Sequence, residues 1–173
     1  MSNVLVTLFV VVLMMVAVVS WSQVSFDSLD STCQSWKLMT DKAEDILRTD
    51  IDIVNANNTA PFVDVLVQNV GKVHLAQFSQ WDVLVQYYGN TTYHVGSLSY
   101  TEESIPSDNE WAVITIYADD TTEDPEVFEP DILNPGEVAL MRLKLNPSPG
   151  VDTINRVILS SPNGVVVSAQ FQG

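Results

Sequence analysis

The chain has few basic side chains and almost no cysteine. It contains 7 lysine and arginine residues against 22 aspartate and glutamate residues, which gives a formal net charge of −15. Nucleic-acid binding depends on cations at the phosphates, so this charge excludes a nucleic-acid binder. Because Cys33 is the only cysteine, neither an intrachain disulfide nor a paired-cysteine zinc motif can form. The two histidines, His74 and His94, are expected to be ordinary surface or half-buried side chains.

Sequence signatures of catalysis are absent as well. The chain has no G-x-S-x-G elbow, no P-loop, no H-E-x-x-H helix and no Rossmann glycine fingerprint. A serine–histidine–aspartate triad stays open, since its members meet only in the fold. We predict that the protein is not an enzyme and needs no catalytic cofactor.

Charge is also missing from the N-terminal segment, where Val4–Phe26 form one apolar run. About 23 residues make a helix of roughly 34 Å, which is long enough to cross a bilayer. Trp21 and Phe26 lie where interfacial aromatic side chains are expected. We predict a membrane-anchoring or filament-core helix. Its anchoring or assembly residues are Val4, Leu8, Val11, Met15, Val18, Trp21, Phe26, Leu29 and Trp36.

A cleaved secretory signal peptide is the alternative for this segment. Ser20 and Ser22 supply the small residues that a signal peptidase needs at −3 and −1 for a cut after Ser22. However, no lysine or arginine precedes the apolar run, so the positive region that begins a signal peptide is missing. Either alternative places the rest of the chain outside the cytoplasm. We expect a protein that is anchored in the cell membrane and exposed at the cell surface.

The helix is predicted to continue beyond the apolar run to about residue 48. Apolar residues recur there at heptad-like intervals on an otherwise polar segment, at Leu29, Cys33, Trp36, Ala43 and Leu47. This stripe suits packing either on the chain's own domain or on neighbouring subunits. We therefore divide the chain into an anchor helix at 1–26, an amphipathic continuation at 27–48 and a sandwich domain at 49–173.

From Asp50 onward the apolar pattern changes to the two-residue alternation of β-strands. Turns recur about every ten residues with no helix between them, which is typical of an antiparallel sandwich. Asn134-Pro135-Gly136 predicts a type II turn, and Asn163-Gly164 predicts a type I′ hairpin. The predicted fold class is α+β, with one long helix followed by an immunoglobulin-like β-sandwich. The expected strands are 51–53 (ended by Asn55–Asn58), 62–69, 73–78, 81–88, 93–100, 111–117, 137–145, 155–160 and 165–171.

An acidic loop is the most unusual local feature of the predicted sandwich. Clustered carboxylates suit Ca²⁺, which takes six to eight oxygen ligands. The alternative is a solvated loop that discourages edge-to-edge pairing of strands. The candidate calcium ligands are Asp119, Asp120, Glu123 and Asp124.

Aromatic residues and glycosylation sequons are two further candidate surface features. Asn57 and Asn90 head N-x-Thr sequons in segments predicted to be loops. Aromatic side chains in the strands would provide a sugar-binding platform, although most aromatics in sandwiches belong to the core. The residues concerned are Trp81, Trp111, Tyr87, Tyr88, Tyr93 and Tyr100.

The order of these segments resembles the archaellum accessory proteins of the FlaG and FlaF type, within the archaellin and type IV pilin-like superfamily. The motifs that carry the resemblance are Arg48-Thr49-Asp50-Ile51-Asp52-Ile53, Asn69-Val70-Gly71 and the segments 78–85, 132–137 and 161–165. The resemblance implies a stator-like subunit that holds a filament motor against the cell envelope or surface layer. It also implies association with other filament or stator subunits, including copies of the same chain, and no catalytic residues.

Two departures from the superfamily pattern concern the beginning of the chain. Pilins usually carry a basic leader and an early glutamate in the helix, whereas Met1–Leu5 contains no charge. This difference favours a stator-like accessory subunit over an archaellin- or pilin-like filament subunit. A membrane-anchored receptor for Ca²⁺ or carbohydrate is the remaining alternative.

Overall fold

The computed structural model describes residues 2–89 and 91–173. It divides the chain into two compact units, which are the residues up to Ala43 and the residues from Glu44 onward. The first unit is most of helix α1. The second contains the end of that helix and eight β-strands.

Helix α1 runs without interruption over Ser2–Arg48. The segment contains neither glycine nor proline, so nothing in its sequence breaks the ladder of backbone hydrogen bonds. By length and composition it is sufficient to span a membrane. The prediction of one helix from residue 4 to about residue 48 is confirmed.

The strands form a sandwich with the sheet order β1-β2-β6-β5-β4-β3-β7-β8. Described neighbours pair antiparallel except β4 and β5, which join in parallel through Ser99–Glu110 and Tyr100–Trp111 alone. This short junction separates two four-stranded halves, and the predicted fold class is confirmed. The strands are β1 Ile51–Thr59, β2 Phe62–Asn69, β3 Asp82–Gly89, β4 Thr92–Tyr100, β5 Glu110–Tyr117, β6 Val138–Lys144, β7 Ile154–Ser160 and β8 Val166–Gln172.

The two halves bury their apolar faces in one core. Every second residue of β2 is fully buried, and Val83 and Val85 of β3 are buried in the same cluster from the other half. Trp111, which has no exposed surface, packs edge-on against Tyr100 with ring centroids 5.0 Å apart. This burial of alternate residues is the two-residue period that the sequence shows.

Two strand predictions were wrong. Residues 55–58 do not end β1, because β2 pairs with that strand as far as Thr59 and a bulge between Ile53 and Asn55 absorbs the irregularity. Residues 73–78 form no strand and make only a single bridge between Leu75 and Leu133. Leu75 and Phe78 are apolar because they enter the core, and a 3-10 turn follows over Phe78–Gln80.

The two predicted turns had different outcomes. The type II turn is confirmed, since Gly136 has φ +94° and the Glu137 N–H donates to the Asn134 carbonyl at 3.0 Å. The type I′ hairpin was wrong, because Pro162 has no N–H with which to close a two-residue loop. Instead Ser161 N–H donates to the Val165 carbonyl at 2.9 Å across a three-residue loop, and Gly164 takes φ +83°.

Candidate anchor helix and its junction with the sandwich

The predicted anchoring residues all lie on α1, and their side chains are between 44 and 78% exposed. From Val4 to Phe26 the exposed apolar side chains cover every side of the helix. Apolar surface of this extent is not stable in water and indicates a covering of lipid or of other helices. That these residues anchor the chain or assemble it stays a prediction.

Hydroxyl groups near both ends of the apolar segment make their hydrogen bonds within the helix. Thr7 Oγ1 donates to the carbonyl oxygen of Asn3 at 2.8 Å, and Ser25 Oγ donates to that of Trp21 at 2.9 Å. Such bonds to the preceding turn lower the cost of placing a hydroxyl where no water is available. These side chains are therefore compatible with an apolar surrounding.

The stripe of the amphipathic continuation is exposed along its length. Leu29, Trp36 and the free thiol of Cys33 are all on the surface. Leu47, which belongs to the same compact unit as the sandwich, is 86% exposed. Of the two alternatives for the stripe, the exposure of Leu47 favours contact with a neighbouring subunit.

The end of α1 is tied to the sandwich by backbone hydrogen bonds. Lys72 N–H donates to the carbonyl oxygen of Arg48 at 2.8 Å, which satisfies one of the carbonyls that a helix leaves free at its end. Val70 and Gly71 N–H groups both donate to the carbonyl of Asp50, at 3.1 and 3.0 Å. The loop that follows β2 therefore caps the helix.

Thr49 connects the helix end to the opposite half of the sandwich. This residue is 5% exposed, and its hydroxyl donates to the carbonyl of Asp45 at 2.7 Å. The same hydroxyl accepts a hydrogen bond from Asn163 Nδ2 at 2.9 Å. Because Asn163 lies in the loop between β7 and β8, one buried side chain links the helix end with both sheets.

Asn69, the last residue of β2, holds the capping loop in shape. It is fully buried, and its Nδ2 donates to the carbonyl oxygens of Val73 and Leu133, both at 2.8 Å. Its Oδ1 accepts from Gly71 N–H at 3.0 Å. A planar amide with two donors and an acceptor meets these three backbone groups at once, which alanine or aspartate cannot do.

Gly71 is required by the close approach of the helix end. A Cβ at this position would lie 2.6 Å from the Asp50 nitrogen and 2.7 Å from the Arg48 carbonyl oxygen. Both are backbone atoms, so a side-chain rotation cannot relieve the contact. Sequence reasoning pointed to Asn69-Val70-Gly71 only through a family resemblance, although an Asn-x-Gly directly after a buried strand is the pattern that would have marked it.

The predicted calcium ligands do not converge in the described chain. Asp119 Oδ1 accepts from the N–H groups of Thr121 and Thr122, at 2.8 and 2.6 Å. Those donors, Thr122 first, hold the pKa of Asp119 below its usual range. Over residues 2–89 and 91–173, no three His, Cys, Asp or Glu side chains lie close enough together to hold a metal ion. Calcium binding by Asp119, Asp120, Glu123 and Asp124 stays a prediction.

A cavity of about 570 Å³ beside β5 was not anticipated from the sequence. Three carboxylates, from Glu102, Glu126 and Asp131, lie in its wall together with Tyr100. Burial, and then the charges of Glu102 and Asp131, raise the pKa of Tyr100. Glu102 lies in the connection between β4 and β5, whereas Glu126 and Asp131 lie in the connection between β5 and β6. The three carboxylates therefore meet only in the fold.

Most of the aromatic residues considered for a sugar platform belong to the core. Trp81, Trp111 and Tyr87 are buried, whereas Tyr88 and Tyr93 are 46 and 50% exposed with ring centroids 5.0 Å apart. His94 stacks on Tyr87, with ring centroids 5.2 Å apart, and His74 is exposed, as expected for ordinary histidines.

The two sequons have different places in the chain. Asn57 is exposed, but it lies within β1 and pairs with Asp64 of β2, so its predicted position in a loop was wrong. Asn90 lies outside the described residues. Glycosylation at either position stays a prediction.

Comparison with known proteins finds likeness only among solved structures. No protein-family model and no curated protein matches the sequence. The chain is similar to the archaellum periplasmic stator protein FlaG from Sulfolobus acidocaldarius, with 23% identity over 71% of this chain and 99% of that chain and a TM-score of 0.51. It is similar at 21% identity to a chain of the FlaF and FlaG stator complex from the same organism, over 70% of this chain and 87% of that chain, with a TM-score of 0.51.

A third likeness extends over nearly the whole chain. The archaeal flagellum of Methanospirillum hungatei strain JF1 matches 96% of this chain and 90% of its own, at 10% identity and a TM-score of 0.61. At these identities the matches show a shared fold. The helix-and-sandwich fold is thus one that archaellum proteins use.

Proposed function

We propose that this chain is a stator-like structural subunit of an archaellum, anchored in the membrane by α1 with its sandwich outside the cytoplasm. The observation that carries the proposal is the match to the stator protein FlaG, which extends over 99% of that chain. The partners are other subunits of the archaellum and the cell envelope. The role is structural, and no enzymatic step belongs to it.

The junction between α1 and the sandwich supports a role in transmitting force. Only Thr49 and Asp50 separate the last residue of α1 from the first residue of β1, so the connection contains no flexible linker. A subunit that holds a motor must transmit force between its anchor and its outer domain. Buried hydrogen bonds at Thr49 and Asn69 resist the separation of helix end and sheet better than a solvated linker would.

An archaellin-like filament subunit is the second candidate. The observation that favours it is the filament match, which includes 96% of this chain and therefore includes α1. The match to FlaG covers 71%, a share close to that of the sandwich alone. In a filament the apolar surface of α1 would be covered by other helices instead of lipid.

Fractionation of native cells separates the two candidates. Surface filaments are sheared from the cells, and this chain is quantified by mass spectrometry in the filaments and in the washed membranes. A stator-like subunit stays with the membranes while the filaments are removed. Recovery of the chain in the sheared filaments, in proportion to their main component, would overturn the proposal in favour of the filament subunit.

Membrane anchoring by α1 is tested by placing one charge at two positions on the helix. An arginine near the centre of a spanning helix costs about 2.5 to 3.5 kcal/mol, so Val11→Arg should reduce the share of the chain that sediments with membranes after a salt wash. Thr32→Arg in the polar continuation is the matched control and should sediment like the native chain. Equal sedimentation of both variants would contradict anchoring by the apolar run.

A further inference from the structure

Over residues 2–89 and 91–173, nothing pairs with the outer edge of β4 between Thr92 and Leu98. β3 occupies the inner edge over this whole length, and β5 joins the outer edge only at Ser99 and Tyr100. The other edges have neighbouring chain beside them, since β1 and β8 lie close together and residues 124–126 bond to the edge of β5. β4 is therefore the strand at which the sandwich is open.

The backbone groups that β4 presents can be assigned from its alternation. Ser99 and Thr101 N–H groups donate across this edge to the carbonyls of Asn109 and Trp111, at 3.2 and 2.9 Å. Backbone N–H and C=O groups point to the same side of a strand at every second residue. The N–H and C=O groups of residues 93, 95 and 97 therefore point to the open edge.

Nothing in the strand guards this edge against pairing. Native sheets protect edges with charge, proline or a covering segment, whereas Thr92–Tyr100 contains no charge and no proline. The exposed side chains beside the edge are uncharged, and their apolar part is at its centre, where Val95 is 59% exposed next to the Tyr88–Tyr93 pair, while Ser97 and Ser99 are small and polar. Unpaired backbone with exposed apolar side chains is typical of a strand that binds another strand.

We propose that β4 pairs antiparallel with β4 of a second copy of this chain, about a two-fold axis at Val95. Val95 then faces Val95 of the other copy, and Tyr93 of each copy faces Ser97 of the other. The residues 93, 95 and 97 of both copies satisfy one another with about six backbone hydrogen bonds. The pairing is argued from the sandwich alone and does not rest on the proposed function.

Charge and shape favour a second copy as the occupant of this edge. Two chains that each carry a net charge of −15 repel, but pairing along an uncharged strand brings no carboxylates face to face. In this register His94 of one copy lies opposite Gly96 of the other. A Cβ at Gly96 would meet no atom within 4 Å, and a cavity of about 210 Å³ opens there, so the neighbouring imidazole has room.

Single cysteines placed on β4 test both the partner and the register. The full chain carries Cys33→Ser, is solubilised in mild detergent and is oxidised after Val95→Cys, with dimers read on a non-reducing gel. Facing residues of this kind of pair have Cα atoms about 5.5 Å apart, within reach of a disulfide. Ser97→Cys is the matched control, because its two copies would lie roughly 14 Å apart and beyond that reach. Mixed Tyr93→Cys and Ser97→Cys chains should again link.

Association through α1 gives a different result from association through β4. A dimer held only by the helix would leave Val95→Cys unlinked, and so would an edge that binds a different protein. Either result overturns the proposal, as does equal linking of Val95→Cys and Ser97→Cys.

The variant Val95→Pro provides a second measurement, because it removes an outward N–H that makes no bond to β3. We expect it to keep the native circular dichroism and to lose the dimer in light scattering. If the native chain is dimeric and the folded Val95→Pro chain is dimeric as well, pairing at this edge is contradicted.

Discussion

Replacement of Asn69 by alanine tests whether a buried amide organises the end of the helix. The change removes three side-chain hydrogen bonds from a residue without exposed surface. The Leu133 carbonyl keeps a bond from Leu75 N–H, and Gly71 N–H keeps its bond to Asp50, so the Val73 carbonyl loses most. We expect a loss of about 2 to 3 kcal/mol in the free energy of unfolding.

Urea unfolding followed by tryptophan fluorescence measures this loss, because Trp81 and Trp111 are buried in the sandwich and become exposed when it unfolds. The matched control is Gln68→Ala, the preceding residue, which loses only one long side-chain hydrogen bond, 3.3 Å to the Gly136 carbonyl, and should change the free energy of unfolding by about 0.5 kcal/mol. Asn69→Asp has the same shape but places a carboxylate oxygen against two carbonyl oxygens, so it should destabilise more than alanine does.

The effect should also be local to the junction. The Gly71 amide bonds to the Asp50 carbonyl and the Lys72 amide to the Arg48 carbonyl at the end of α1. Hydrogen exchange of these two amides should speed up more than exchange within β3. If Asn69→Ala and Gln68→Ala are equally stable, or if exchange rises uniformly, the amide does not organise the junction.

Three further predictions follow from single contacts. Gly71→Ala should lower the free energy of unfolding by about 1 to 3 kcal/mol, since its Cβ would meet two backbone atoms, and thermal unfolding that matches the native chain would refute this. Arg142→Lys should cost about 1 kcal/mol in urea unfolding, because lysine cannot make both 2.7 Å bonds from the guanidinium to Asp64; an unchanged midpoint would show the pair to be inert.

Burial, and then the charges of Glu102 and Asp131, raise the pKa of Tyr100. The protonated tyrosine therefore stabilises the fold at every pH below its ordinary pKa, and this stabilisation is lost as the pH rises through the raised pKa. Glu102→Gln removes one of these charges and should move tyrosinate formation, followed by ultraviolet absorbance, to lower pH. A shift to higher pH would contradict a pKa-raising effect of the Glu102 charge.

The sequence allowed the fold to be predicted where its pattern is local and repeated. The long apolar run predicts α1 because helix is the structure that satisfies its backbone without water, and alternating Val63, Val65 and Val67 predict a buried strand. Residues 73–78 show the limit of this approach. Their apolar side chains enter the core without a neighbouring strand, so alternation predicted a pairing that does not exist.

The hydrogen bonds of the junction could not be predicted from local sequence patterns, for a related reason. Asn69 finds its acceptors at Val73, four residues away, and at Leu133, 64 residues away. Thr49 finds Asn163 across 114 residues of chain. Neither the type of these residues nor their local spacing specifies such partners, which exist only once the sheets have assembled.

The sandwich fold does not by itself decide between a stator and a filament subunit, because the solved structures that share it include both. The β4 edge bears on that question through symmetry. Pairing of β4 with itself about a two-fold axis is an isologous contact and closes at two copies, whereas a filament needs contacts that repeat head to tail. A disulfide at Val95 would therefore show a closed dimer, which suits an anchored subunit and leaves no β4 edge free for filament growth. If no disulfide forms in the Val95→Cys chain, the β4 dimer is refuted, and the fractionation of native cells alone decides between the stator and the filament subunit.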